Sequence, residues 1–582
     1  VALCELPLKS SVGVAVARGL KDVTVLGTLN PPFPLSTLRS GCKPTIVAED
    51  FAHREKEICG VTPYFCAPVF KGKMVDSSEG PVWSDPYVEQ FLKYKNVHSD
   101  ERIWRFAVDD FVDGMEKLAG IECVRPLSDY EAWMGVEDTD IGSVNLKTST
   151  GAPFFQRKEN FVRLDHVKKE VYVKQIILDQ IDEILKIIDM GIVFSPMCSH
   201  SLKDEAISIL KMMSMLVRVF VCLPLAFNFL LKKYFYPFAL FMRAHKDFFE
   251  AQTGMNPFSF LELGTFLSRF LTKCSDRFGD GDFAFFDGSQ SSQMRLAEGE
   301  VWQKFSVLTQ YSARDQNRVR MLFLGTVYTL RFVKNDLVLM AFQNPSGGQI
   351  TLETNGIGNS LAFRYCYYAE FFARRAALLA TKVWVLIVAV LPPKFRVNVA
   401  LGTTGDDNLY GVSSSCRWLD HQVLVKRMAE VGLTYTTADK NQSDAVVGFK
   451  SITEVSFVKR RFRQDEGRWK ARLELKSLVK MLVFAKQSEL SRRDHAAVLV
   501  SNVNRELYYH GREVFDSWMI DIRTSVEKHY LYESRYCRLF DYDTLDEMFK
   551  SSDYPRWIRE LRSEDEAVLS ARTKEKAVVL LE

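Results

Sequence analysis

The chain has 582 residues, 47% of them apolar, enough for several packed layers and roughly three to five domains or subdomains. Its formal net charge is only +3, so no global field marks a nucleic-acid binder, and any such role must come from local basic patches. Eleven cysteines stand as singletons, with no CxxC pair and no Cys/His cluster at zinc spacing, which predicts reduced thiols in a cytosolic compartment.

In chain order, VALCELP opens without an initiator Met or a signal peptide, and with the closing VVLLE it reads as the product of cutting a larger precursor. Residues 1–140 are mixed, with Pro-rich loops around 30–34 and in GVTPYFCAP (60–68). KKEVYVKQIILDQIDEILKIIDMG (168–191) has helical periodicity and ends in Gly. VRMLFLGTVYTLRFVKNDLVLMAF, around 320–342, reads as β with a turn at Lys334-Asn335-Asp336. HQVLVKRMAEVG (421–432) predicts an amphipathic helix with a Gly stop. From about 470 the pattern is helical and charged (LKSLVKMLVFAKQ, AAVLVSNVNRELYYHG, VFDSWMIDIRTSVEKHY). Two apolar stretches, 212–231 and 376–391, carry Arg218, Pro224 and Asn228, and Lys382. A membrane-crossing helix needs about 20 apolar residues with few charges. Both stretches are therefore expected in a core or at an interface, and no transmembrane span is expected.

Chemistry gathers around carboxylates. In DGDFAFFDGSQ (280–290) the alternation predicts a strand whose end delivers Asp282, followed by a turn that swings Asp287 aside. TTGDDNLYG (403–411) puts Asp406 and Asp407 directly after a glycine, and alone it could be an acidic hairpin turn. Two strands ending in acids place like charges together, which is unfavourable unless a cation sits between them. Oxygen-only ligands suit Mg²⁺ completed by substrate phosphates, the arrangement of two-metal phosphoryl or nucleotidyl transfer. In QNPSGGQITLETNGIGNS (343–360), Ser346-Gly347-Gly348 is a loop before a helix on which Thr351 and Asn355 share one face, a hydroxyl and an amide able to bond a sugar. The plainer reading is a Gly loop before an ordinary helix. ADKN (438–441) supplies Lys440 on a loop, and EVSFVKRRFR (454–463) alternates apolar and basic residues like a hairpin gripping a backbone. Each has a plain reading as solvated surface.

The order of these motifs resembles the palm of RNA-dependent RNA polymerases of picornavirus-like positive-strand RNA viruses: acid-x4-acid, SGxxxTxxxN, GDD, ADK, FVKR. Upstream, TSTGAPF (148–154) is similar to the template-entrance motif of that family, LKDEAISILKMMSMLVRVFVCLP (202–224) to its KDE…K…R fingers motif, and TGMNP (253–257) to a further finger signature. The resemblance covers roughly 140–530. It implies an α+β right-hand polymerase of fingers, palm and thumb, with an antiparallel palm sheet, in a closed, encircled form. The implied divisions are an unmatched N-terminal or fingertips region (1–140), fingers (141–275), first palm segment (276–295), fingers insertion (296–342), second palm segment (343–465) and helical thumb with tail (466–582).

The resemblance implies that Asp282 and Asp406, assisted by Asp407, hold two Mg²⁺ or Mn²⁺ ions, and that Lys440 protonates the leaving pyrophosphate. Asp287 and Asn355, helped by Ser346 and Thr351, would recognise the ribose 2′-hydroxyl. Lys203, Lys211 and Arg218 would meet the triphosphate. Thr148, Ser149, Gly151, Pro153 and Gly347 would contact RNA, and Phe457, Lys459 and Arg460 would steady the primer strand. The implied partners are template and product RNA, ribonucleoside triphosphates, a protein primer and other viral replication proteins. The implied place is a membrane-associated replication complex in the host cytoplasm, after release from a polyprotein. Thr404 stands where the family usually has Tyr, and Ile207 and Leu216 stand where relatives often carry Arg or Lys, so the nucleotide channel is less basic than usual. A reverse transcriptase would favour deoxyribonucleotides and carry a bulky residue near Asp287. A cysteine protease would need GxCG, whereas EICG (57–60) has Glu57 in the glycine position. An inactive RNA-binding scaffold would lack one of the acids.

Overall fold

The structure is a computed structural model that describes residues 11–550 except 18, 22, 29–39, 78–79, 138, 335, 381–391, 439–447 and 487. Lys440 and most of the apolar stretch 376–391 lie outside the described residues. The chain divides into two compact units. The first comprises Val1–Gly41, Ala67–Gly254 and Ser268–Val458; the second comprises Cys42–Cys66, Met255–Leu267 and Lys459–Glu582.

At the heart of the first unit is a four-stranded antiparallel sheet of β1 (Phe278–Phe283), β2 (Val399–Thr404), β3 (Asp407–Val412) and β4 (Tyr435–Thr436). Its spatial order is β2-β3-β1-β4. The sequence of β1, FGDGDF, explains its place. Alternate side chains of a strand point to opposite faces, so Gly279 and Gly281 share one face and Asp280 and Asp282 the other. On the glycine face the ring of Tyr435 crosses β1 to donate from its hydroxyl to Asn408 Oδ1 on β3, 2.7 Å away. A Cβ on Gly281 would stand 2.0 Å from that ring, and one on Gly279 would stand 2.3 Å from Tyr410. Only glycine leaves room for both rings.

Behind the sheet lie α1 (Glu101–Val112), α2 (Ser292–Val307), α3 (Thr351–Ala380) and α4 (His421–Glu430). From Glu353 to Glu370, α3 is buried on every side, which an amphipathic pattern would not allow; it packs on α1, α2, α4 and β2. Gly358 permits the approach to α2, since a Cβ there would lie 2.1 Å from Glu298. Fully buried Arg364 ties three elements together, donating to Asp110 of α1 (2.8 Å) and to Glu250 (2.8 and 2.9 Å), whose backbone pairs with Thr403 of β2. A separate five-stranded sheet joins strands 24–28, 336–340, 329–333, 197–202 and 219–222 in that order.

The expected β stretch at 320–342 is half right. Residues Ala313–Val327 form a helix, capped by Ser312 and burying Val319, Leu322, Phe323 and Val327 at helical spacing; strands follow at Thr329–Val333 and Asp336–Met340. Likewise 168–191 is a short strand (Glu170–Val173) before the helix Gln175–Asp189. The stretch 212–231 is divided between the end of a short helix, the strand Val219–Cys222 and a helix beginning at Leu225, and its residues 225–231 are buried. Among the described residues no helix is long and apolar enough to cross a membrane, and ten cysteines are free thiols.

In the second unit the predicted helices occur at Leu475–Val483, Arg492–Leu507 and Arg512–Lys528, around a core that includes Leu478, Val500, Trp518 and Ile522. Residues from far upstream complete it: Cys42–Pro44 pairs with Phe484–Lys486, Val47 and Phe51 join the core, and Arg54 bonds Asp521 at 2.8 Å.

Candidate active site

The two acid motifs meet across β1 and β3. Gly281 stands opposite Asn408, so the next rung sets Asp282 level with Asp407 and on the same face. β2 and β3 form a hairpin whose last pair, Thr404 with Asp407, encloses the two-residue loop Gly405-Asp406. Gly405 takes φ +62°, the left-handed conformation that the first loop position of a tight hairpin requires. Asp406 is thereby carried to the tip. Asp282, Asp406 and Asp407 are each half-buried. Asn359, on α3, secures the loop from behind: its amide lies 3.1 Å from the carbonyl oxygens of Gly405 and Asp406 and 3.4 Å from that of Asp407.

After β1 the chain turns through Phe285 (φ 62°) into the short helix Phe286–Ser289, which brings Asp287 towards α3. Asn355 donates to Asp287 Oδ1 at 2.6 Å. Burial pushes the Asp287 carboxyl up to about 6, and the Asp406 carboxylate adds to the rise. The Asn355 amide and the guanidiniums of Arg218 and Arg295 hold it back. The site therefore brings together Asp287, Asn355, Asp406 and Arg218.

The Ser346-Gly347 loop is stapled to the strand Val219–Cys222. The Ser346 hydroxyl accepts from Val221 N–H at 3.1 Å, and Gly347 N–H donates to Val221 O at 2.9 Å. A Cβ on Gly347 would lie 2.4 Å from that same oxygen. The Thr351 hydroxyl donates to the carbonyls of Pro345 and Gly348 (2.8 and 3.0 Å), so it closes the loop instead of projecting from it. In the fingers motif Glu205 lies 3.3 Å from Lys203 and 3.5 Å from Arg218, while Lys211 is exposed on the helix Ile209–Met213.

In the template-entrance motif Gly151 has φ +68° and Ala152–Pro153 is cis. Ser149 Oγ accepts from Gly151 N–H, and Thr148 Oγ1 accepts from the buried Lys158 at 2.7 Å. Phe457 is buried, Lys459 is exposed with φ 58°, and Arg460 forms an ion pair with Glu506 at 2.7 Å, its guanidinium lying over Phe258. Arg460 thus has an internal partner that its motif does not announce.

The sequence reading missed Asn359, Gln290 and Asn344. Asn359 continues the Thr351–Asn355 spacing of four and could have been found by extending it one turn. Gln290 Nε2 and Asn344 Nδ2 both donate to Asn355 Oδ1, at 3.0 and 2.8 Å, contacts across 65 and 11 residues that no local pattern encodes.

The acids offer oxygen ligands only, which fits a hard divalent cation; the rise at Asp287 is mainly burial, to which the neighbouring Asp406 charge adds. Among the described residues no three His, Cys, Asp or Glu side chains form a ready-made metal cage.

A family described as viral RNA-dependent RNA polymerase matches residues 52–527. The replicase polyprotein of cricket paralysis virus is 25% identical over 432 residues, covering 69% of this chain and 23% of the polyprotein. The RNA1 polyprotein of Andean potato mottle virus is 26% identical over 440 residues, 73% of this chain and 56% of that protein. The chain thus spans between about a quarter and a half of the length of these relatives. A solved structure described as Sicinivirus 3Dpol RNA dependent RNA polymerase shares the fold, with TM-score 0.70 and 14% identity, covering 91% of this chain and 99% of its own.

Proposed function

The chain belongs to the viral RNA-dependent RNA polymerase family, and from that premise we propose that it copies an RNA template from ribonucleoside triphosphates by nucleotidyl transfer in viral genome replication and transcription. The observation that carries this reading is the β2–β3 hairpin, which aims Asp406 at the end of the sheet where β1 delivers Asp282. Asp282 and Asp406, with Asp407, would hold divalent metal, Mg²⁺ or Mn²⁺. Two such ions, when bound, lower the pKa of the primer 3′-hydroxyl and neutralise the triphosphate and departing pyrophosphate.

The protein's own groups do the rest. Asn359 keeps the hairpin tip in place while charge shifts at Asp406. Arg218, Lys203 and Lys211 supply positive charge for the triphosphate, with Glu205 pairing to Lys203 and Arg218. Asp287 and Asn355 bind the ribose 2′-hydroxyl. Ser346 and Thr351 support that pair by fixing the loop before α3. Lys440 is assigned from its motif as the acid that protonates pyrophosphate. Thr148, Ser149, Gly151, Pro153 and Gly347 are assigned to RNA, and Phe457, Lys459 and Arg460 to the primer strand; the exposed Lys459 is free of the internal pairing that occupies Arg460. The first unit supplies fingers and palm, and the second supplies the thumb. The polyprotein names of the relatives support release from a viral precursor. A membrane-associated complex in the host cytoplasm, with a protein primer and other replication proteins, completes the proposal.

Primer extension by the Asp406→Ala protein tests the assignment. Metal-held charge is worth several kcal/mol, and about 1.4 kcal/mol is tenfold in rate. Synthesis should therefore fall about a thousandfold or more, with the fold intact by circular dichroism. Undiminished synthesis would remove Asp406 from the chemistry.

A further inference from the structure

We infer that Gln290 and Asn344 are positioning residues that set the selectivity for ribose, by fixing which end of the Asn355 amide faces Asp287. The inference rests on the sugar-recognition reading above and extends it to two residues that touch no substrate.

A side-chain amide can sit either way round, and its hydrogen-bond partners decide which. Asn355 Oδ1 lies 3.0 Å from Gln290 Nε2 and 2.8 Å from Asn344 Nδ2. Two donors require an oxygen between them, so the amino group of Asn355 is the end that meets Asp287 Oδ1 at 2.6 Å. The sense of Gln290 is fixed in turn. It is fully buried, and its Oε1 faces the guanidinium of the equally buried Arg295 at 3.5 Å. A guanidinium can only donate, so the glutamine oxygen must face it and the amino group must face Asn355. Asn344 is held by its backbone, whose N–H donates to Asp287 O at 2.9 Å, and by its neighbour Gln343, whose Oε1 accepts from buried Arg331 at 2.6 Å. The donor direction thus runs one way, from Arg295 through Gln290 and Asn355 to Asp287.

The consequence for a nucleotide is specific. With Oδ1 of Asn355 taken by two amides, only its second N–H is left to reach the sugar, and Asp287 Oδ2 is left to accept. A ribose 2′-hydroxyl satisfies both by donating to the carboxylate and accepting from the amide. A deoxyribose leaves both without a partner, which is how polar sites reject an analogue that lacks a hydroxyl. If Asn355 turned over, its oxygen would face the Asp287 carboxylate and the preference would be lost.

The test compares ribonucleotide with deoxyribonucleotide incorporation by Gln290→Glu, which keeps the shape but replaces the donor with an acceptor, and by Asn344→Leu, which deletes the other donor. The ribo-to-deoxy ratio of kcat/KM should fall about tenfold in either variant, the worth of one buried hydrogen bond. Neither change should lower the ratio further in an Asn355→Ala background. Two independent donors are probed, so misfolding of one variant, seen in its melting curve, leaves the other decisive. If Asn355→Ala lowers the ratio but Gln290→Glu and Asn344→Leu leave it unchanged, slowing both sugars equally at most, the two residues are only packing and the inference is overturned while the sugar-recognition reading stands. If Asp287→Ala and Asn355→Ala also leave the ratio unchanged, the sugar-recognition reading fails and this inference fails with it.

Discussion

Asp287 is a carboxylate that the fold keeps ionised only at a cost. Burial and the Asp406 charge raise it to about 6, above the ordinary Asp value of about 3.9. A raised acid binds its proton more tightly in the folded than in the unfolded chain, so its contribution to stability falls as pH rises through that interval. We therefore expect Asp287→Asn, in metal-free buffer, to raise the melting temperature at pH 7–8, with the gain shrinking as pH drops through 6 towards 4. A gain independent of pH would mean that the carboxyl is not held up by its surroundings. Asn359 makes a contrasting case, since it carries no charge and its amide donates to backbone carbonyls. Asn359→Ala strips one amide from three loop carbonyls, and leaving such groups unsatisfied costs about 1–3 kcal/mol. Primer extension should show kcat lowered about tenfold or more with the KM for nucleotide little changed, because the hairpin tip is displaced while the nucleotide channel is intact. Both acid motifs could be read from the sequence because their chemistry lies in short runs. Asn359 was within reach of the four-residue spacing on α3, but Gln290 and Asn344 were not, because their meaning depends on partners brought together by α3.

Among the elements, β1 is built with one face for acids and one for rings. Its glycines let Tyr410 and Tyr435 cross it, so Gly281→Ala, with a Cβ 2.0 Å from the Tyr435 ring, should cost about 1–3 kcal/mol by overpacking and depress activity by shifting Asp282. Thermal unfolding and primer extension together check this; a variant with wild-type melting would show that the ring can move aside. The alternation that predicted β1 was readable because a strand turns successive side chains to opposite faces, a two-residue period. Residues 320–327 misled for the opposite reason. They belong to a helix buried on several sides, whose apolar run resembles a strand until Ser312 is recognised as its cap. The place of α1 was also hidden, because its tie to α3 is the contact of Asp110 with Arg364, 254 residues away. Arg364→Met would leave Asp110 buried without its cation and Glu250 with only Arg396, 3.6 Å away. Such losses cost about 3–5 kcal/mol, so the variant should melt markedly lower; an unchanged melting curve would show that solvent reaches the network.

At the scale of the whole molecule, the helices of the second unit were legible from their amphipathic repeats, but the upstream segments that join them were not. The second unit joins Lys459–Glu582 to Cys42–Cys66 and Met255–Leu267, a grouping that motif order along the chain does not announce. Residues 42–66 could not be assigned from sequence because a strand of three residues and a helix of eight say nothing about what they pair with. Their pairing has a consequence in time. The strand Cys42–Pro44 finds its partner only in Phe484–Lys486, so on a ribosome it emerges some 400 residues before the segment that completes its sheet. At about 5–20 residues per second, Val47 and Phe51 spend roughly 20–80 seconds of synthesis without the core they will join. The second unit is therefore the later of the two to be completed, and a translation product that stops short of residue 484 carries Asp282, Asp287, Asp406 and Asp407 yet leaves the strand Cys42–Pro44 without a mate.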